Sequence, residues 1–189
     1  VTSYFRENPD HTPKVAAMVS NVFDYDFIVN SYFTPDNFTT DISARTSQTS
    51  KENLRLYFPG QGGDKLIAEG KSFLVENNQS IEKLILQKLA EAPSSELAIS
   101  PIPESVNVLG VTVKQDICYV NFDENFLNDF VDANPMIVIE AIVDSLCEQS
   151  DIKQVQFMVN GNSDIKLQES ISLSLPFSPS YEHVSSKEG

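Results

Sequence analysis

The stretch PMIVIEAIVDSLCEQSDIKQVQFMVNG, residues 135–161, decides the fold because it joins a helix pattern to a strand pattern. Asn134 and Pro135 are typical of an N-cap and a first turn, so a helix is predicted over about 135–148. Alternating apolar residues then predict a strand over 155–159, which ends at an Asn160–Gly161 turn. The helix carries one apolar stripe, made of Ile139, Ile142, Val143 and Leu146.

Strand patterns flank this unit on both sides. Residues 106–113 and 117–122 are rich in β-branched and aromatic side chains, and the polar segment Lys114–Asp116 separates them, which predicts a hairpin. After the Asn160–Gly161 turn, residues 165–175 mostly alternate between apolar and polar side chains. We expect the tail beyond Pro176 to fray.

A second unit of two strands and a helix lies upstream. Residues 54–58 alternate, the glycine-rich segment 59–63 predicts a turn, and a second strand is predicted over 65–75. Ser80 is a favourable N-cap, and apolar residues recur after it at helical spacing. A helix is therefore predicted over about 80–92.

Two helices that each carry a single apolar stripe need a flat apolar partner, and strands with period-two alternation provide one. The sequence therefore predicts an α+β fold. We expect a two-layer sandwich in which the helices (about 80–92 and 135–148) pack on one face of a mixed β-sheet, in the order β-β-α-β-β-α-β.

Composition limits the classes of partner. The chain has 189 residues, of which 41% are hydrophobic, and a formal net charge of −14. This charge repels phosphate backbones and anionic lipid head groups, so we expect no nucleic-acid binding and no membrane binding through bulk electrostatics. No apolar run is long enough to span a bilayer as a helix. Because the chain begins with Val1 rather than Met, we expect any export signal or lipid anchor to lie upstream.

Residues 1–52 differ from the rest. The stretch Thr39–Ser50 is nearly all small and polar and is interpreted as a linker. Earlier residues are rich in aromatic side chains, and we predict an ordered strand over Tyr25–Phe33. The predicted domain organisation is therefore an N-terminal extension, a domain over 53–176 and a frayed tail.

Several segments, in the same order, resemble the GerM domain over about residues 53–176. The most specific are Ile102–Pro103 leading into Leu109–Val111, Tyr119–Phe122 before an acidic loop, and Val155–Gly161. Two positions depart from the family pattern: Gln115–Asp116 replaces a hairpin glycine, and Lys71 replaces an arginine. The first departure is expected to affect the turn type, and the second weakens a preserved ion-pairing role.

The resemblance implies a bacterial envelope lipoprotein domain linked to sporulation or spore germination, with a fold similar to ring-building modules of secretion-type assemblies. It implies no catalytic residue, cofactor or metal. The expected partners are envelope or spore-assembly proteins, with self-association into a ring as a further expectation. The expected location is extracytoplasmic, lipid-anchored to the membrane or associated with the spore.

The residues themselves offer little catalytic chemistry. His11 and His183 lie near opposite ends, which disfavours a histidine-based nucleophile or metal site. The densest acidic run, Asp123–Asp132, lacks the spacing of a calcium loop and is interpreted as a solvated face, with a weak cation site as the alternative. A hydrolase that uses Glu69 with an acid of this run stays an alternative. Cys118 and Cys147 are interpreted as buried, separate thiols; a disulfide between them is the alternative and requires Cα atoms within about 7 Å.

The predicted interaction surface consists of aromatic residues of the N-terminal extension and of acidic residues that follow the strand predicted over 117–122. An alternative function is a cell-wall glycan or peptide binding module, in which the aromatic residues line a platform; otherwise they pack in the core. The candidate residues are Tyr25, Tyr32, Phe33, Asp123, Glu124 and Asp129.

Overall fold

The computed structural model describes residues 49–76, 79–129, 131–148 and 151–185. Within these ranges the elements are β1 (Thr49–Pro59), β2 (Leu66–Glu76), α1 (Ile81–Ala90), β3 (Val108–Lys114), β4 (Ile117–Phe122), α2 (Asn125–Asn128), α3 (Pro135–Glu148), β5 (Gln154–Val159), β6 (Lys166–Leu167) and β7 (Ile171–Ser172). The predicted α+β class and the predicted order of the main elements are confirmed. Strand β1 begins inside the segment interpreted as a linker.

The described strands divide among three hydrogen-bonded groups, whereas the sequence predicts one mixed sheet. β4 pairs antiparallel with β3 and parallel with β5, which makes a mixed three-stranded sheet. β1 and β2 form a separate antiparallel hairpin, and β6 and β7 form a short ribbon. The hairpin separates because β1 lies against α3: the Tyr57 N–H donates to Ser145 Oγ of that helix at 2.9 Å.

A continuous core joins the strands to both long helices. Apolar side chains of β1, α1, α3, β4 and β5 all contribute to it. Three phenylalanines of β4, α2 and β5 stack in this core, and the ring centroids of Phe122 and Phe126 lie 4.3 Å apart. Helices α1 and α3 therefore pack on the strands through their apolar sides, as the sequence predicts.

Helix α3 is buried more completely than its predicted stripe indicates. The stripe residues lie in the main core, but Ile137 and Ala141 form a second apolar cluster with Tyr57 and Leu66. Asp144 and Ser145 are also fully buried. α3 thus packs on two sides, and its polar residues need internal partners.

Residues 177–185, called the strap below, pair with the rest of the domain, so the prediction that the tail frays beyond Pro176 is wrong for these residues. Phe177 and Val155 exchange two backbone hydrogen bonds, of 2.8 and 2.9 Å. The Leu66 N–H donates to the His183 carbonyl, and the Ser185 N–H donates to the Leu66 carbonyl, both at 2.8 Å. The sequence hides this strap because its apolar anchors are single residues with no periodic spacing.

The β3–β4 hairpin has the predicted position. Its turn has the positive φ angles that usually require glycine, although no glycine is present in it. Gln115 and Asp116 adopt φ values of 51° and 63°, in the left-handed region. A non-glycine residue pays a steric cost there, and glutamine lacks the local hydrogen bond that eases it for Asn or Asp. The turn is therefore a site of local strain.

Candidate interaction surfaces

Helix α3 carries an acidic row made of Glu140, Asp144 and Glu148. Its first two members bind the strap, a contact that the sequence pattern does not indicate. Asp144 accepts hydrogen bonds from the backbone N–H groups of Ser180 and Tyr181, at 3.0 and 3.1 Å. Burial raises the pKa of Asp144, and these two bonds offset part of that rise. One turn earlier on the helix, Glu140 Oε2 lies 2.6 Å from His183 Nδ1.

The last member of this row, Glu148, binds β1. It accepts a hydrogen bond from the Tyr57 hydroxyl and lies 3.4 Å from Arg55 Nη1. Burial, followed by the Glu148 hydrogen bond, raises the pKa of Tyr57. Glu148 therefore joins α3 to the β1–β2 hairpin.

The predicted acidic surface divides into one structural and two exposed residues. Asp123 accepts a 2.6 Å hydrogen bond from the Asn107 side chain, and this bond lowers the pKa of Asp123. It thereby holds the loop before β3 against the end of β4. Glu124 and Asp129 flank α2 and are exposed, so their role in binding stays a prediction.

Glu69 fixes a loop. Its carboxylate accepts backbone hydrogen bonds from Ser94 and Ser95, at 3.0 and 2.8 Å, and lies 3.3 Å from Lys71 Nζ. Burial alone would raise the pKa of Glu69, but these contacts together lower it. A general acid needs the opposite shift, so this environment does not favour the hydrolase alternative. The lysine also makes the ion pair that its departure from the family pattern had put in doubt.

An open groove lies over the β1–β2 hairpin, with a volume of about 790 Å³. Strand register places the pairs Asn53–Ser72 and Arg55–Gly70 on one face, opposite to the core-facing Leu54. Val184 of the strap lies at the groove's rim. The groove lining comprises Asn53, Leu54, Arg55, Ile67, Ala68, Gly70, Lys71, Ser72, Val184 and Ser185.

The groove lining carries two cations, which point to opposite faces of the hairpin and are each paired with a carboxylate outside the lining: Arg55 with Glu148 and Lys71 with Glu69. The chain has 27 acidic and 13 basic residues, yet the lining contains Arg55 and Lys71 and no carboxylate. A second cavity, of about 200 Å³, lies beside β3 and Lys83 and also lacks a carboxylate. In the described part of the chain, no three His, Cys, Asp or Glu side chains are placed to hold a metal ion.

Residues 55–164 match the model of the Germane family, described as sporulation and spore germination. The chain belongs to this family. No curated protein matches the sequence. The fold is similar to the tandem GerMN domains of the sporulation protein GerM from Bacillus subtilis, with a TM-score of 0.57 and 20% identity over 72% of this chain and 48% of that one. The first GerMN domain of that protein matches with a TM-score of 0.48 and 17% identity, over 72% of this chain and 99% of the other.

The chain thus spans about half of the tandem GerMN structure, 48% of its length. The predicted surface residues Tyr25, Tyr32 and Phe33, and the strand predicted over 25–33, lie outside the described residues. Both cysteines are free thiols, Cys118 buried and Cys147 partly buried, and burial raises the pKa of each to about 12. No helix in the described ranges meets the length and apolarity needed to cross a membrane.

Sequence reasoning missed the groove. The signal that was available is Gly70, a lone glycine inside a predicted strand, because such a glycine often marks close approach of a ligand or of another backbone. The lining was not visible, since Arg55 lies opposite Gly70 only through the pairing of β1 with β2 in the Germane domain.

Proposed function

We propose that this Germane-family chain is a non-enzymatic interaction domain of the bacterial envelope that serves sporulation or spore germination by binding another envelope or spore-assembly protein. The observation that carries the proposal is the open groove over the β1–β2 hairpin, whose lining includes the exposed Arg55 side chain. Charged groups at a contact surface favour one partner over others more than they raise affinity.

The partners of the acidic side chains support the non-enzymatic part of the proposal. Glu69, Asp123 and Asp144 each hold a loop or a strap, and none of them lines the groove. An acid that catalyses proton transfer has to face its substrate. These carboxylates face backbone N–H groups or an asparagine side chain instead.

The proposed location is outside the cytoplasmic membrane, with a lipid anchor upstream of the sequence described here. The partner is a neighbouring envelope protein, and a second copy of this domain in a ring is one form that such a partner takes. Both points derive from the family resemblance.

The test is capture of partners from the envelope. The full 189-residue chain, immobilised through its N-terminus, is incubated with a solubilised envelope fraction of sporulating cells of the source organism. A heat-unfolded sample of the same chain serves as the control. We expect a defined protein to bind the folded chain only. Equal binding to both samples, or no binding with monomeric behaviour in light scattering, contradicts the proposal.

A further inference from the structure

We infer that the groove over the β1–β2 hairpin binds an extended, carboxylate-bearing segment of the partner protein as an added strand along the outer edge of β2. The inference rests on the proposed function and names the chemistry of the partner. Three features of the hairpin carry it: its open edge, Gly70 and its charge.

The outer edge of β2 is already used for pairing at one end. Leu66 bonds the strap through both its N–H and its carbonyl, so its backbone groups point away from β1. Backbone direction repeats every second residue in a strand, and Ala68, Gly70 and Ser72 therefore point their groups the same way. Among the described residues, no strand lies beside these three. The strap covers the start of the edge and leaves the next residues open.

Gly70 has no explanation within the described structure. Its φ is not in the positive region, and no atom lies within 4 Å of the position that a Cβ would take. Glycine weakens a strand, so neither conformation nor packing accounts for it here. Its cross-strand partner is Arg55. A side chain at position 70 would stand about 5 Å from the Arg55 Cβ, whereas glycine leaves empty the space between the outer edge of β2 and the Arg55 side chain.

This geometry suits an acidic side chain on an added strand. The new strand would lie about 5 Å beyond β2. A glutamate beside Gly70 then reaches over the bare backbone towards the Arg55 guanidinium, which binds carboxylates through two parallel N–H groups. The Arg55 side chain is 54% exposed even with Glu148 beside it.

The probe is the synthetic octapeptide Thr-Glu-Val-Glu-Val-Glu-Val-Thr, titrated into the isotope-labelled full chain and followed by NMR. We expect shifts of the amide signals of residues 53–55, 66–72 and 184–185. The counterpart with lysine in place of glutamate should bind at least about tenfold more weakly, the equivalent of about 1.4 kcal/mol. Binding of the lysine peptide with equal affinity, or shifts confined to other surfaces, overturns the inference.

Two matched variants place the peptide on the groove. Gly70→Val fills the way to Arg55, and we expect it to weaken binding of the acidic peptide by about tenfold or more. Gly110→Val is the control, because Gly110 also lies in a strand with no atom within 4 Å of its Cβ position. It should leave the affinity unchanged. Thermal unfolding of both variants, with Arg55→Gln as a further variant, separates a blocked groove from a damaged fold.

The remaining outcomes separate this inference from the proposed function. If the envelope partner binds Gly70→Val as tightly as it binds the unmodified chain, the groove is not its site, although the domain still binds a protein. If no partner is captured, the proposed function fails whatever the peptide does. Inorganic polyphosphate that binds as well as the peptide, with no loss in Gly70→Val, would overturn strand addition in favour of a general polyanion site.

Discussion

At the scale of single residues, Asp144 shows how a buried acid orders a distant segment. It is fully buried and accepts two backbone hydrogen bonds from the strap. Asp144→Ala leaves those N–H groups without an acceptor, and we expect it to cost about 2–3 kcal/mol of unfolding free energy. Chemical denaturation measures the loss. Glu182→Ala, at an exposed position of the same strap, is the control and should cost little.

The pH dependence of stability has a definite sign at Asp144. Because its pKa is raised in the folded state, the folded protein holds a proton over a range where the unfolded chain has released it. The contribution of Asp144 to stability is therefore largest in acid and falls as the pH rises above the ordinary aspartate value. In Asp144→Asn this decline should be absent, so the unfolding free energy of the unmodified protein should fall relative to that of the variant as the pH rises from the ordinary aspartate pKa through the raised folded-state pKa. A rise relative to the variant over this range would contradict the assignment.

The strained turn gives a second residue-scale prediction. Gln115 has φ 51°, which glycine adopts without steric cost. We expect Gln115→Gly to raise the unfolding free energy by about 0.5–1 kcal/mol, since the relief of strain exceeds the added freedom of the unfolded chain. Gln115→Ala keeps the strain and should give no gain. The denaturant midpoint at constant slope measures both variants, and equal midpoints would show that the turn is unstrained.

At the scale of elements, Ser145 joins α3 to β1. Its hydroxyl donates to the Ala141 carbonyl at 2.6 Å and accepts the Tyr57 N–H at 2.9 Å. Ser145→Ala leaves that buried N–H unsatisfied, so we expect a loss of about 1–3 kcal/mol. Hydrogen exchange at the Tyr57 amide should accelerate more than exchange within β4. Ser174→Ala, at an exposed position, is the control, and an equal effect of both variants would contradict the role of Ser145.

The elements also show what the sequence can predict. Local signals were sufficient for β4, found over 117–122 as predicted, and for α1, where Ser80 Oγ accepts the Lys83 N–H as an N-cap. Contacts between distant segments carry no such signal. The local sequence around Asp144 predicts an exposed helical acid, because its hydrogen-bond partner Ser180 lies 36 residues later in the chain. The groove likewise depends on strand register, which brings Gly70 opposite Arg55.

At the scale of the whole molecule, the strap decides how far the domain extends. It pairs with the edge of β5 through Phe177 and with the edge of β2 through Val184, two strands that belong to different hydrogen-bonded groups. The Phe177 ring also packs edge-on against Phe157, with centroids 5.6 Å apart. The strap therefore connects the β1–β2 hairpin to the three-stranded sheet, although the strap itself lies outside the range of 55–164 that matches the family.

Truncation tests this tie. A chain that ends at Pro176 loses the packing of the partly buried Phe177 and the hydrogen-bond partners of Leu66 and Asp144, so we expect these losses together to cost at least about 3 kcal/mol. A chain that ends at Ser185 keeps every strap contact described above and should unfold like the full chain. Circular dichroism melts compare the three proteins. Equal melting temperatures would mean that the tail adds nothing to the fold, as the sequence alone had suggested. A loss confined to the shorter chain instead shows that residues 177–185 belong to the folded domain, beside the groove that Val184 and Ser185 help to line.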